Sequence, residues 1–340
     1  MHPNPSGGKP DGTLRFMQAI GVRSPGGPEV LELVELPTPR PGPGEIMIEV
    51  LAAGVNRADL LQRQGRYPPP PGASAVLGLE VSGHVAELGP GVTGWEVGDA
   101  CVALLAGGGY AAYVVAPAGQ VVLPPEGIDL VAAGGLVEVA ATVQSNLEHA
   151  RLAPGDTFLV HGGAGGIGSF AVPYAKHLGA TVITTAGSPV KLDFCRARGA
   201  DHALSYRDDW PAGVREAVGD HGVDVIMDNM GAKYLDEHVQ LLADGGRLVA
   251  IGMQGGTRGT LDLGRLMAKR GWVHAASLRS RPVEEKAAIC RAVVNAVWPL
   301  LADGSLEPAP HETFPLAEAA AAHARMESGQ HIGKIILLVD

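Results

Sequence analysis

Gly163, Gly165 and Gly168 stand in G-x-G-x-x-G spacing within FLVHGGAGGIGSFAVPYAKHLG, residues 158 to 179. An apolar strand (Phe158, Leu159, Val160) leads into the glycines. Behind them Ile167, Phe170, Ala171, Tyr174, Ala175 and Leu178 recur with helical period until Gly179 stops the helix. The first glycine, Gly163, permits a tight turn, and Gly165 lets a pyrophosphate approach the backbone. Gly168 lets the helix pack close to the strand, with the free N–H groups of its first turn, at Gly166 and Ile167, facing the phosphate. The spacing alone is a weak signal; set between strand and helix it predicts a dinucleotide site rather than an unliganded turn. Pro173 is awkward, because inside the helix it removes a hydrogen bond and favours a bend.

The same stretch bears on which dinucleotide. An NAD-type site places an acidic residue about twenty positions beyond the glycines, on the ribose 2′-OH. Here TVITTA ends in Gly187, Ser188, Pro189, Val190 and Lys191, with no Asp or Glu before Asp193. A carboxylate would repel a 2′-phosphate, whereas Ser188 can donate a hydrogen bond and Lys191 supplies charge. NADPH is therefore expected, unless Lys191 is merely an exposed helix residue.

The chain that must position these groups has 340 residues, enough for about two domains, and 46% hydrophobic content. A net charge of −10 disfavours a nucleic-acid-binding surface. Cys101, Cys195 and Cys290 form no C-x-x-C pair and read as reduced thiols of a cytoplasmic protein. No apolar run approaches the ~20 residues of a membrane span. Met1 to Phe16, rich in Gly, Pro and polar residues, reads as a flexible leader.

From Met17 onward, Val30 to Leu36 and Glu45 to Val50 alternate apolar and polar residues around PTPRPGPGE, the pattern of antiparallel strands in a partly open barrel. Asn56, Arg57, Asp59 and Tyr67 are unexpected polar residues in the segment that follows. Helical texture begins at Leu130 to Ala133 and Ala140 to Ala150. Strands at 158–161, 181–185, 223–228 and 247–252 then alternate with helices at about 166–178, 190–198, 211–218 and 234–243. That alternation predicts a doubly wound parallel sheet, with Trp272 to Ala276 as a further strand. The apolar strand Lys334 to Val339 has no place in that sheet and is expected to return to the first domain.

VNRADLLQRQGRYPPPPGAS, LGLEVSGHVAELGPGV, VHGGAGGIGSFAV, TAGSPVKLDFC, SLRSR and HIGKIILLVD resemble the zinc-free quinone oxidoreductase branch of the medium-chain dehydrogenase/reductases. NRADL with RQGRYPPPPGAS, and SLRSR, are most similar to the p53-inducible quinone oxidoreductase homologues. The resemblance implies a GroES-like catalytic domain at 17–132 and 280–340, a Rossmann NADPH-binding domain at 133–279, and a homodimer. In zinc-dependent relatives a Cys occupies the place of Asn56 and a His that of Leu79, while Glu80 is retained. The third ligand has no counterpart near Glu138 and the four-cysteine lobe is missing, so no metal is expected.

The resemblance also assigns roles. Asn56, Asp59 and Tyr67 match substrate-side positions: Asn56 would hydrogen-bond a substrate carbonyl, and Tyr67 would orient that oxygen or give it a proton. The plainer alternatives are a helix cap for Asn56, an Asp59 paired with Arg57 or Arg63, and an apolar wall for Tyr67. Thr142 matches a nicotinamide-pocket position or is helix interior. Tyr206 matches a position at the 2′-phosphate, and Gly252, Met253 and Gln254 would lie along the nicotinamide ribose. Leu278, Arg279 and Lys334 match positions near the cofactor's reactive end, though Arg279 reads equally as a surface residue. The implied activity is NADPH-dependent quinone reduction. Reduction of α,β-unsaturated ketones or enoyl thioesters is the alternative, and a non-catalytic NADPH- or RNA-binding protein the third.

Overall fold

The computed structural model of the chain describes residues 15–339. The N-terminal alternation becomes β1 (Phe16–Val22), β2 (Leu31–Pro37), β3 (Glu45–Val55), α1 (Arg57–Arg63), β4 (Glu80–Leu88), β5 (Ala100–Leu104), β6 (Tyr113–Pro117) and β7 (Val121–Val122). Phe16, placed in the leader from sequence, is already strand and faces Pro37; residues 1–14 lie outside the described residues. β2 pairs with β1 in a separate two-stranded sheet, while β3 runs on to Val55 between other partners.

Two short-linked helices, α2 (Leu130–Ala133) and α3 (Val137–His149), lead into the second half. There β8 (Thr157–His161), α4 (Gly166–His177), β9 (Thr181–Ala186), α5 (Pro189–Ala197), β10 (His202–Ser205), α6 (Trp210–Val218), β11 (Val223–Asp228), α7 (Leu235–Leu241), β12 (Leu242–Ala250), α8 (Leu263–Ala268) and β13 (Trp272–Ala275) alternate. Their six strands are all parallel, in the order β10-β9-β8-β11-β12-β13. The order reverses between β8 and β11, and a ligand crevice opens at the carboxyl ends of strands at such a reversal. β10, of four residues, and α8, of six, are too short to show a period in the sequence pattern.

The chain closes with α9 (Val283–Ala296), α10 (Trp298–Ala302), β14 (His311–Pro315), α11 (Ala319–Glu327) and β15 (Lys334–Leu338). β15 lies antiparallel to β3, Ile335 against Val55, in a seven-stranded sheet of order β14-β15-β3-β4-β5-β7 with β6 also paired to β3. That pairing carries Lys334 to the end of β3, beside Asn56. α9 sits at the seam: Ile289, Cys290 and Val293 share a core with α3 and α4, while Cys290 also meets Gln120 of the barrel side. All three cysteines are free and buried. No helix of the described residues is long and apolar enough to cross a membrane.

α4 continues unbroken through Pro173. Proline has no N–H for the carbonyl four residues back, which is that of Ser169. Arg198 Nη2 reaches that carbonyl at 3.4 Å and gives it another donor.

Candidate active site

The glycine stretch divides its work differently from the sequence expectation. The positive φ of the tight turn, +71°, is at Gly162 rather than Gly163. Gly163 is instead a packing glycine: a Cβ there would lie 2.7 Å from Cys195 Sγ and 2.8 Å from Thr184 Cγ2. At Gly168 a Cβ would press on the backbone of Gly162 and Gly163, which brings α4 close to β8. Gly165, the N-cap, has only Gly162 O near its missing Cβ, at 3.4 Å. It leaves the open face over the first turn of α4, whose N–H groups have no partner within the helix.

Around that face is a cleft of about 550 Å³ lined by Gly165, Gly166, Ile167, Gly168, Gly187, Lys191, Tyr206, Gln254, Lys334 and Asn56, with Asn229, Lys233 and Glu327. Tyr206 lies across Gly187, where a Cβ would collide with its hydroxyl and ring. Lys191 Nζ donates to Gly329 O at 2.7 Å, and burial lowers its pKa. Ser188 is the N-cap of α5 between those two, outside the lining, with its side chain making no capping bond. Asn229 was missed from sequence. It follows β11, donates to His161 O at 3.1 Å and leaves Oδ1 buried without a partner. A polar residue directly after a parallel strand, at the strand-order reversal, was the signal. Open glycine face, orphaned amide oxygen and nearby lysines together fit a phosphate-bearing dinucleotide.

Beside Gly166 the cleft meets a buried polar cluster. Lys334, 4% exposed, donates to Asn56 Oδ1 and Glu80 Oε1, both at 2.7 Å. Asn56 Nδ2 donates to the same Glu80 oxygen at 2.9 Å, and Glu80 Oε2 accepts the Glu138 N–H at 2.9 Å. Thr142 Oγ1 reaches Glu138 Oε1 at 3.1 Å, so the nicotinamide-pocket candidate is tied to the cluster through its own helix. Burial, and then the charge of Glu80, push the Glu138 carboxyl up to about 7. The reading of Glu138 as only a vacant ligand position missed this carboxyl.

Asp59 belongs to a second buried network. Its Oδ2 accepts the Asn56 N–H at 2.8 Å and the Tyr110 hydroxyl at 3.0 Å, and its Oδ1 the Gly78 N–H at 3.1 Å. It pairs with neither Arg57 nor Arg63. Behind Tyr110 stands His323, with Nε2 at 3.2 Å from the hydroxyl and Nδ1 at 3.2 Å from Arg63 Nη1. Arg63 can only donate, so Nδ1 accepts, Nε2–H donates to Tyr110, and Tyr110 donates to Asp59. Burial and Arg63 pull His323 down to about 3, in keeping with a neutral ring. Burial pushes Asp59 up to about 6 against those hydrogen bonds.

The remaining candidates lie apart from the cleft. Tyr67 is half-buried with its hydroxyl 3.5 Å from Ser277 Oγ, and the Arg279 guanidinium lies 5.3 Å from its ring centre. Arg279 is no surface residue: it is buried, donating to Ala106 O at 2.7 Å and Gln62 Oε1 at 2.6 Å. It faces a different cavity, of about 810 Å³, beside Gly107 and Lys286. Leu278 packs against the core shared by α3 and α4. Gly252 closes on Asn229, where a Cβ would meet Asn229 O at 2.9 Å, and Met253 is exposed. Among the described residues no three His, Cys, Asp or Glu side chains are placed to hold a metal ion.

Two family profiles match the chain: "Alcohol dehydrogenase GroES-like domain" over residues 42–126 and "Zinc-binding dehydrogenase" over 166–292. A 2-haloacrylate reductase from a Burkholderia species is 34% identical over 342 residues, covering 95% of this chain and 99% of the relative. Other curated relatives are longer polyketide synthases, of which the chain spans 6% in one case and 15% in another. Mycobacterial Rv1454c in complex with NADPH superimposes with a TM-score of 0.84 at 34% identity, covering 95% of this chain and 99% of that one. Escherichia coli quinone oxidoreductase complexed with NADPH gives 0.83 at 29% identity, over 95% and 99%.

Proposed function

The chain belongs to the medium-chain dehydrogenase/reductase superfamily, and from that premise we propose that it is an NADPH-dependent oxidoreductase that reduces quinones. The observation that carries this reading is the meeting of the glycine-lined cleft with the buried Lys334–Asn56–Glu80 cluster beside Gly166. NADPH supplies a hydride from its nicotinamide. The first-turn N–H groups of α4 would hold the pyrophosphate, and Lys191 and Tyr206, with Ser188 beside them, would hold the 2′-phosphate. Gln254, in the cleft lining, would lie along the nicotinamide ribose, with Gly252 and Met253 on the loop before it and Thr142 toward the ring. Negative charge develops on a quinone oxygen as the hydride arrives, and the hydroquinone anion takes its proton from water. One quinone, one NADPH and one proton thus give hydroquinone and NADP⁺.

The reading needs no metal. The positions that hold zinc in relatives offer an amide at Asn56 and an alkyl group at Leu79, and the Lys334 ammonium lies against Asn56 and Glu80. Purified protein is expected to hold no stoichiometric zinc and to keep its activity in strong chelator. β13, one of the two edge strands of the parallel sheet, with its exposed Val273, suits a homodimer. Three buried free thiols suit the reducing cytoplasm.

A second reading, reduction of an α,β-unsaturated carbonyl compound, is favoured by the similarity to a reductase named for a haloacrylate. The Tyr67 hydroxyl, with only a 3.5 Å contact to Ser277, could serve it as proton donor. A non-catalytic RNA-binding role sits poorly with a net charge of −10. A panel of NADPH-oxidation assays with quinones and enones tests all three: fastest turnover of quinones supports the first, of enones the second, and turnover of neither refutes both.

A further inference from the structure

Asn56 has no free donor. One Nδ2 hydrogen is on Glu80 Oε1 at 2.9 Å, the other is directed to Gly54 O at 3.4 Å, and Oδ1 accepts from Lys334. To reach a substrate oxygen the amide must break one of these bonds, the stronger to a buried carboxylate. Lys334 is the opposite case. An ammonium has three N–H groups. Two are on Asn56 Oδ1 and Glu80 Oε1, and among the described residues no acceptor takes the third. The side chain lines the cleft and is fixed along its stem: a Cβ on Gly166 would lie 3.2 Å from Cδ, and one on Gly135 3.1 Å from Cε. A cation held rigidly in a water-poor site stabilises a developing anion far better than one in water.

We infer that Lys334, and not Asn56, donates the hydrogen bond to the substrate oxygen on which negative charge develops, with Asn56 and Glu80 as the positioning residues that aim its ammonium. The inference rests on the proposed hydride-transfer reading. It sets the substrate class as conjugated carbonyl compounds whose reduced form is an oxyanion. It also explains why a strand from the far end of the chain is laid against β3: that strand carries the cation to the place where relatives use a metal.

The test uses p-nitrophenol, whose phenolate imitates a hydroquinone anion, with the NADP⁺-loaded enzyme. Removing Lys334 alone strands the Glu80 charge, so Lys334→Met is paired with the neutral double variant Glu80→Gln/Lys334→Met. The parent should bind phenolate in preference to phenol, read from the nitrophenolate absorbance. Both variants should lose roughly ten- to hundredfold of that affinity. Asn56→Ala should lose less than Lys334→Met. NADPH affinity, read by fluorescence, should fall by clearly less than phenolate affinity in each variant. Unchanged phenolate binding in the double variant, no phenolate preference in the parent, or loss of NADPH affinity in step with phenolate would each overturn the inference. Lys334-dependent phenolate binding by a protein that turns over neither quinones nor enones would leave the oxyanion site standing and sink the proposed function instead.

Discussion

Tyr110 gives its hydroxyl hydrogen to Asp59 Oδ2 at 3.0 Å in a place where neither side chain reaches solvent. Asp59 also accepts two backbone N–H groups, yet burial outweighs all three bonds and holds its carboxyl up at about 6. This buried carboxyl is thus one whose ionisation opposes folding.

That opposition has a measurable sign. In the unfolded chain the carboxyl ionises near its ordinary value of 3.8, so between about pH 4 and pH 6 the folded protein holds a proton that the unfolded chain has released. Asp59 therefore makes stability fall as pH rises through that window, by about 3 kcal/mol in total, with no further change above it. Asp59→Asn should lack this slope. Denaturant unfolding of parent and variant across the window decides the matter, and parallel profiles would count against it.

Lys191 faces the cleft beside Gly187 and Tyr206, and among the described residues its ammonium donates to a single backbone carbonyl. Lys191→Ala is expected to lose roughly ten- to hundredfold in NADPH affinity, the worth of one charged hydrogen bond. NADH affinity should hardly move. Titration of both cofactors by fluorescence checks this, and equal binding of the two by the parent would end the argument.

The two glycines of the motif should fail in different ways. Gly163→Ala drives a methyl against Cys195 Sγ and against Thr184, whose hydroxyl is held by Val160 O at 2.7 Å. We expect a loss of about 1–3 kcal/mol of stability. Gly165→Ala meets nothing closer than 3.4 Å and has an ordinary φ of −87°, so it should fold normally and lose cofactor affinity. Thermal melts set beside cofactor titrations separate the cases; equal melts for the two variants would contradict the packing role of Gly163.

Tyr67→Phe separates the two enzymatic readings. A hydroquinone anion takes its proton from water, so with quinones the variant should lose roughly less than tenfold in kcat. An enolate needs a placed acid, and its absence would cost about 10²–10⁴-fold. The ring itself stays clamped by Arg279 in either case. A thousandfold loss, with enones faster than quinones in the parent, would install the enone reductase.

The dinucleotide half was legible because its signals are local. A strand, three glycines and a helix with 3.6-residue period lie in one stretch, and the absence of a carboxylate after Thr185 can be counted along the chain. Glycine cannot be replaced where backbones touch, so the spacing alone implies the close approach of α4 to β8. Which glycine takes the turn was not legible, since φ at Gly162 and Gly163 depends on how Thr184 and Cys195 pack beneath them. The buried polar seam was decided in three dimensions. Lys334 and Asn56 are joined across 278 positions, Tyr110 and His323 across 213, and no periodicity connects such residues. What joins them is the pairing of β15 with β3 and the packing of α11 beside it. Burial then fixes their chemistry. The sequence shows an amide, two carboxyls and an ammonium; only removal from water compels them to satisfy one another, leaving the ammonium with the free hydrogen.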